Sequence, residues 1–427
     1  MADINIGKAP ATIAVLPFYG TAAVFLWILT AFMAMGPHDL LVHYFSPHLL
    51  AWVHTAALGW ATMMIFGAAY QLLPVICERE LYSLRMAVWS YGFLTAGVCI
   101  LIPSFWYFRV GLPMITGGSL VVIAACLYGA NVWFTGGSCS RYAINKCYLI
   151  CSALWLIMTV SAGLLLAIHL RYPFIPRNHL ELVKLHAHMG LAGWFLQLIV
   201  GVSVKLIPMF LLGKSTKNYL LRAALLLQNL GLVLFLLDGY LDPTNQRSLI
   251  YGSLVLFGVL AWICYLIDAF RNRVRKKIDI PMKHAAFSFG YLIAAFLLLP
   301  MMEFRTETKW VTLYGILLFL GWITALILGK TFKTLPFIVW NKRYKNLNGK
   351  VKVPLPKQLY SEQLVIVQYY LYHAAFLLLL VGVGWTIDWL LRLSTVLWLS
   401  MSTVYLYNVA KVFFHKPSKL IYGITNK

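Results

Sequence analysis

Apolar residues in this chain fall in long unbroken runs, with polar residues gathered between them. The runs lie at roughly 12–35, 49–75, 84–107, 110–134, 147–169, 183–212, 218–240, 247–269, 284–303, 310–332, 364–387 and 390–412. Each is about 20 residues or longer, the length a helix needs to cross the bilayer core. In lipid, main-chain N–H and C=O groups must be satisfied internally, which a helix achieves within one segment. Strands of a membrane barrel would alternate apolar and polar residues, and these runs are continuous. The pattern therefore predicts an all-α polytopic membrane protein of about twelve transmembrane helices. The first run lacks a basic leader and is span-length, so it reads as a true first helix rather than a cleaved signal.

Composition agrees with this reading: 61% of the 427 residues are hydrophobic and 11% are charged. A net charge of +22 would fit nucleic acid if it covered a folded surface. Instead Lys and Arg concentrate in the tails and in alternate loops, above all in "RNRVRKK" (271–277) and "KRYKNLNGKVKVPLPK" (342–357). That bias follows the positive-inside rule and places both termini on the cytoplasmic side of a plasma (inner) membrane. The basic loops 270–283 and 333–360 then face anionic lipid headgroups, and nucleic acid is excluded as a partner. The seven cysteines are scattered without a Cys-x-x-Cys pair, which argues against a disulfide framework or a zinc–thiolate site. Only 13 Asp and Glu occur, nearly all at run ends or in loops, so no carboxylate relay crosses the core.

Three of the runs share a motif. In "VHTAALGWATMMIFGAAYQLLPVI" (53–76), Gly59-Trp60, Gly67 and Pro74 are spaced as Gly193-Trp194, Gly201 and Pro208 are in "AHMGLAGWFLQLIVGVSVKLIPMF" (187–210). "GWITALILGKTFKTLP" repeats the spacing with Gly321-Trp322, Gly329 and Pro336. The copies fall on the second, sixth and tenth helices. They predict three four-helix blocks, approximately 12–134, 147–269 and 284–412, about a pseudo-threefold axis along the membrane normal. Each motif residue also has an architectural use: Gly for close helix approach, Trp at an interface, Pro to kink or end a helix.

The histidines change the picture further. In the repeat, His54 and His188 occupy one position, and the third copy has Ile316 there. The scaffold thus does not require imidazole at that place, which points to chemistry. Ionisable groups inside a membrane are costly and mark functional sites, and neutral imidazole is a common metal ligand. His186, two residues before His188, points about 200° around the same helix, so one helix can serve two centres. Imidazoles facing one another between blocks are suited to grip haem iron from both sides. His373 in "YYLYHAAFLLLL" lies near mid-membrane and is a candidate copper ligand or distal group. His284 begins a helix beside Lys283 and reads as interfacial; His38, His43 and His48 read as a solvated loop.

Twelve helices with His on the second and His-x-His on a later motif helix resemble the haem-copper oxidase subunit I superfamily. "HAHMGLAGW" is similar to segments of cbb-type oxidase catalytic subunits and their short relatives. The layout also resembles NnrS-type haem- and copper-containing membrane proteins linked to nitric-oxide stress. The resemblance implies haem, of b type, held by His54 and one of His186 and His188. It implies copper as a second metal, electron transfer or oxidoreductase chemistry on NO or O2, and an electron-donor or partner subunit. The chain departs from the oxidases in three respects. Its seventh helix carries no His where the oxidases have a copper-binding pair, the helix-borne His-x-x-x-Tyr is absent, and the His-x-His lies on the sixth helix rather than the tenth. Different classes of function that also suit internal repeats are a copper or haem transporter or handling protein and a non-catalytic gas sensor.

Overall fold

The computed structural model describes residues 12–77, 79–137, 144–242, 247–276, 278–305 and 307–416. The chain's two ends, Cys139 and part of the basic stretch 270–283 lie outside the described residues. The protein is all-helical, with 12 helices long and apolar enough to cross a membrane and no strand among the described residues. They are α1 (Thr12–Met35), α2 (Pro47–Cys77), α3 (Leu84–Trp106), α4 (Leu112–Gly137), α5 (Ile144–Arg171) and α6 (His179–Leu211), followed by α7 (Asn218–Leu241), α8 (Ser248–Arg271), α9 (Ile280–Phe304), α10 (Thr308–Tyr344), α11 (Glu362–Gly384) and α12 (Asp388–Phe413). Polar side chains start several of them: Ser83, Asn178, Asp279 and Ser361 each accept a hydrogen bond from a main-chain N–H of the first turn.

Helices α2, α6 and α10 form the interior. Their apolar windows are 78, 61 and 72% buried within the protein, against 22–50% for the other nine. Each contains an eight-residue π-helical segment: Thr55–Thr62, Met189–Leu196 and Ile316–Ile323. The first two open immediately after His54 and His188. Such wide turns are uncommon and recur at functional sites.

The Gly-Trp motif lies in these segments and joins the three helices. Trp60 Nε1 donates to Thr324 Oγ1 (3.0 Å), and Trp194 Nε1 donates to Thr62 Oγ1 (3.1 Å). Phe195 meets Phe319 edge-on, with ring centroids 6.2 Å apart. Trp322 has no such acceptor, because Leu196 stands where Thr62 and Thr324 stand in the other two helices. Its Nε1 is buried with no partner among the described residues. The glycines serve close approach. A Cβ on Gly59, Gly193 or Gly321 would lie 2.7, 2.7 or 2.9 Å from the rings of Phe25, Trp155 and Phe376.

The outer helices close around this interior. α3 packs along α4, α7 along α8, and α11 along α12, while α1, α5 and α9 lie against α2, α6 and α10. α1 also meets α12, where Thr30 Oγ1 and Ser402 Oγ are 2.6 Å apart and Trp27 donates to Thr403. One boundary differs from the sequence expectation: α10 runs on to Tyr344, so the first part of the basic stretch 333–360 is helical. Lys342 and Arg343 sit in its last turn, where cations complement the helix dipole, and Trp340 donates to the Pro354 carbonyl of the returning chain.

Gly329 is where α10 touches the main chain of α9: an added Cβ would lie 2.6 Å from the Pro281 carbonyl oxygen and 2.8 Å from the Ala285 nitrogen. Main-chain atoms cannot swing aside, so Gly329→Ala is expected to destabilise the protein by about 1–3 kcal/mol. Gly290→Ala, with nothing within 4 Å, is expected to melt like the parent. Thermal melts of both variants in detergent check this, and equal melting temperatures would show that the close approach carries no weight.

Candidate functional site

Three imidazoles near the amino-terminal ends of α2 and α6 are anchored in one chemical pattern. His54 Nδ1–H donates to the Leu50 carbonyl (2.7 Å) and His188 Nδ1–H to the Lys184 carbonyl (2.8 Å), each four residues back along its own helix. A helical carbonyl keeps a second lone pair that a side chain one turn on can reach. His186 Nδ1–H donates across to the Thr159 carbonyl of α5 (3.1 Å). A carbonyl can only accept, so each bond holds the proton on Nδ1 and leaves the Nε2 lone pair available. That is the arrangement in which protein imidazoles bind metals.

Packing fixes the rings. His54 stacks on Phe105 of α3 with centroids 4.2 Å apart, and His188 lies against Phe235 of α7 at 4.9 Å. His186 fits where α5 carries Gly163; a Cβ there would be 2.9 Å from His186 Cε1.

The contacts sort the three into two interfaces. His54 and His186, from α2 and α6, lie within electrostatic range of one another, and neither Nε2 has a protein partner among the described residues. His188 points elsewhere. Its Nε2 receives a long contact of 3.5 Å from the Tyr314 hydroxyl of α10, with the two rings tilted by 23°. His188 and Tyr314 line a cavity of about 490 Å³, together with Lys184, Phe235, Glu303 and Trp322. This volume is in the range of cofactor and ligand pockets.

Tyr314 escaped the sequence reading, although a signal for it was present. The step that relates Gly193 to Gly321 also carries His186 onto Tyr314 and His188 onto Ile316; the step back to Gly59 carries His186 onto Trp52. The chemistry at the matching positions thus differs: His188 meets the Tyr314 phenol, whereas the position matching Tyr314 on α6 is the imidazole of His186. Trp52 and Ile316, at the matching positions on α2 and α10, offer no imidazole, and both border the cavity.

His373 is not brought to this group. Its neighbours belong to α9 and α11: Tyr291 O–H and Nδ1 are 2.9 Å apart, and the His284 ring lies 5.3 Å away. His284 itself is 2% exposed, buried among the protein's own side chains. Tyr369 and Tyr372 of α11 cover it, with centroids at 5.4 and 4.5 Å. The outer-loop histidines have polar partners: His48 pairs with Asp39 at 2.8 Å, and His38 meets Asp388 and Arg392. Asp238 and Asp268, at helix ends, face Arg247 and Lys217.

With this geometry in place, short stretches of the chain prove similar to curated proteins of one kind. It is 28% identical over 133 residues to "Cytochrome c oxidase subunit 1 homolog, bacteroid" of Bradyrhizobium diazoefficiens, covering 24% of each chain. It is 35% identical over 75 residues to the corresponding homologue of Agrobacterium tumefaciens, covering 17% of this chain and 14% of that one. Cytochrome c oxidase subunit 1 of Rhodobacter capsulatus matches at 36% over 75 residues, again 17 and 14%. Over these stretches the chain is similar to cytochrome c oxidase subunit 1 and its homologues. The matches span about a quarter or less of the length of these relatives. No family model matches the chain.

Gly163→Val is expected to push the His186 ring off the Thr159 carbonyl while leaving His54 and His188 on theirs. Solid-state NMR of histidine-labelled protein reads the Nδ1–H signal of each ring. A His186 signal unchanged in the variant would show that Gly163 does not form its seat.

Proposed function

We propose that this chain is a haem-binding membrane protein of oxidase type, with haem held between α2 and α6 by His54 and His186. It acts in electron transfer or in chemistry on NO or O2, including a role in nitric-oxide stress. The observation that carries the reading is the like preparation of His54 and His186: imidazoles on two interior helices, each with Nδ1–H spent on a carbonyl and with no partner for Nε2 among the described residues. Neutral nitrogen donors in an apolar, helix-lined site suit haem iron. The absence of a side chain at Gly163 gives the His186 ring its place.

When bound, haem would supply a one-electron couple, and a small gas could reach the iron only if one of the two imidazoles lets go. The chain's own residues do the rest. The Leu50 and Thr159 carbonyls set tautomer and orientation, and Phe105 holds the His54 plane. His188 offers one further imidazole in the cavity it shares with Tyr314, whose phenol O–H is placed to hydrogen-bond a polar ligand. No His occurs in α7, so the copper-binding pair that oxidases carry there is not part of this proposal. Copper, if it binds, has His373 as its candidate ligand.

The same reading includes an inner-membrane location with cytoplasmic termini, supported by the placement of Lys and Arg, and an electron-donor partner. It also includes the three-block arrangement, supported by the Trp–Thr bonds among α2, α6 and α10.

Protein purified from haem-replete cells is expected to show a Soret band and a b-type pyridine haemochrome. His54→Ala and His186→Ala should each abolish the spectrum of a bis-imidazole haem; His188→Ala should leave it. A colourless preparation, or a spectrum indifferent to His54→Ala, would overturn the reading. Anaerobic NO or O2 consumption by the reduced protein separates turnover from sensing.

A further inference from the structure

His284 and His373 form a cluster that the proposed haem site does not use. They sit on α9 and α11, whose polarity across the membrane is opposite to that of α2 and α6. Both Nε2 atoms are buried with no hydrogen-bond partner among the described residues. A buried imidazole nitrogen left unpaired costs on the order of 1–3 kcal/mol. The two rings that carry these atoms adjoin, with centroids 5.3 Å apart. The nearest phenol does not relieve them: Tyr372 donates its O–H to the Leu320 and Gly321 carbonyls.

We propose that His284 and His373 bind a single cuprous ion through their Nε2 atoms, with Tyr291 orienting His373. The ring spacing is the first argument. A metal lies about 2.0 Å from an imidazole nitrogen, and so roughly 3.1 Å from the ring centroid. Two rings on one ion with centroids 5.3 Å apart would then subtend an angle of roughly 115–120° at the metal, that of a trigonal three-coordinate ion whose third position is left to an external ligand. The second argument is the outer contact. When the Tyr291 oxygen accepts Nδ1–H of His373 at 2.9 Å, the Nε2 lone pair is left for the ion.

Charge selects the ion. The two donors are neutral, and no group of three or more His, Cys, Asp or Glu able to hold a metal occurs among the described residues. The surroundings are aromatic, with Phe287 4.8 Å and Tyr369 4.5 Å from the His373 ring. Desolvation cost rises with the square of the charge, so an uncompensated divalent ion is penalised about fourfold more than a monovalent one. Imidazole binds copper well, and Cu(I) accepts two or three ligands. This assignment deepens the copper reading of His373 and is independent of the haem site, none of whose residues it uses.

The test is anaerobic competition of full-length protein in detergent for Cu(I) held by bicinchoninate. The parent is expected to withdraw one equivalent. His284→Gln and His373→Gln should each weaken binding at least tenfold and Tyr291→Phe about tenfold, the scale on which outer-shell partners act. Haem content, read from the Soret band, should stay at the parental level in all three, which separates failure here from failure of the haem reading. Equal copper withdrawal by the His284→Gln/His373→Gln double variant would overturn the proposal. Should a variant misfold, X-ray absorption of the Cu(I)-loaded parent decides. Low-coordinate nitrogen ligation with imidazole outer-shell scattering supports the site, and sulfur ligation rejects it.

Discussion

The architecture turns on how closely α2, α6 and α10 approach one another. In lipid there is no hydrophobic drive between helices, so association rests on close packing and on hydrogen bonds between them. Both are present at the Gly-Trp motif. The glycines admit neighbouring aromatic rings to distances that any Cβ would forbid, and the indoles reach across to threonine hydroxyls on the next interior helix. Each hydrogen bond is worth only on the order of 0.6 kcal/mol in a membrane protein. Their value lies in geometry: an indole N–H buried in hydrocarbon must find its acceptor, and that requirement fixes the rotation of one helix against another. Where Leu196 replaces the threonine, Trp322 is left unpaired beside the cavity. The two departures from regularity thus occur at one place.

Fixing those rotations also places the histidines. Because each π segment begins at or next to the histidine position, the face that carries the imidazole is set just before the helix widens. His54 and His188 inherit the same anchoring on a carbonyl four residues back and the same aromatic partner on the adjoining helix, Phe105 or Phe235. What differs is the residue each one meets. Matching positions on the three interior helices thus carry different side chains: His54, His188 and Ile316 in one register, and Trp52, His186 and Tyr314 in another. This is a low-cost way to vary a membrane site, since the surrounding packing need not change.

Asp238, Asp268 and Asp279 pair with basic residues at helix ends, since charges inside a membrane are costly. Lys330 of α10 is an exception, its ammonium donating to Met282 Sδ. The other buried polar groups are mainly indoles, hydroxyls, amides, imidazoles and phenols. Such groups can hold a cofactor or a metal without the burden of an uncompensated charge. The partial likeness to cytochrome c oxidase subunit 1 is consistent with an interior of this kind.

The helices, their number and the special status of α2, α6 and α10 were legible in the sequence. Hydrophobic run length is a local quantity, and the Gly-Trp-Gly-Pro spacing repeats in plain view. His54, His186, His188 and His373 could be picked out because an imidazole in an apolar run is conspicuous. Their neighbours could not, since contacts between helices depend on rotation and depth, which one-dimensional spacing does not encode. Only the packed bundle showed that His186 bonds to the Thr159 carbonyl, that Tyr314 meets His188, and that His284 lies buried beside His373. His284 starts its helix next to a lysine, as an interfacial residue would, and only the packing shows that the aromatic face of α11 covers it. Local sequence determined which groups enter the membrane; the tertiary structure decided which of them meet.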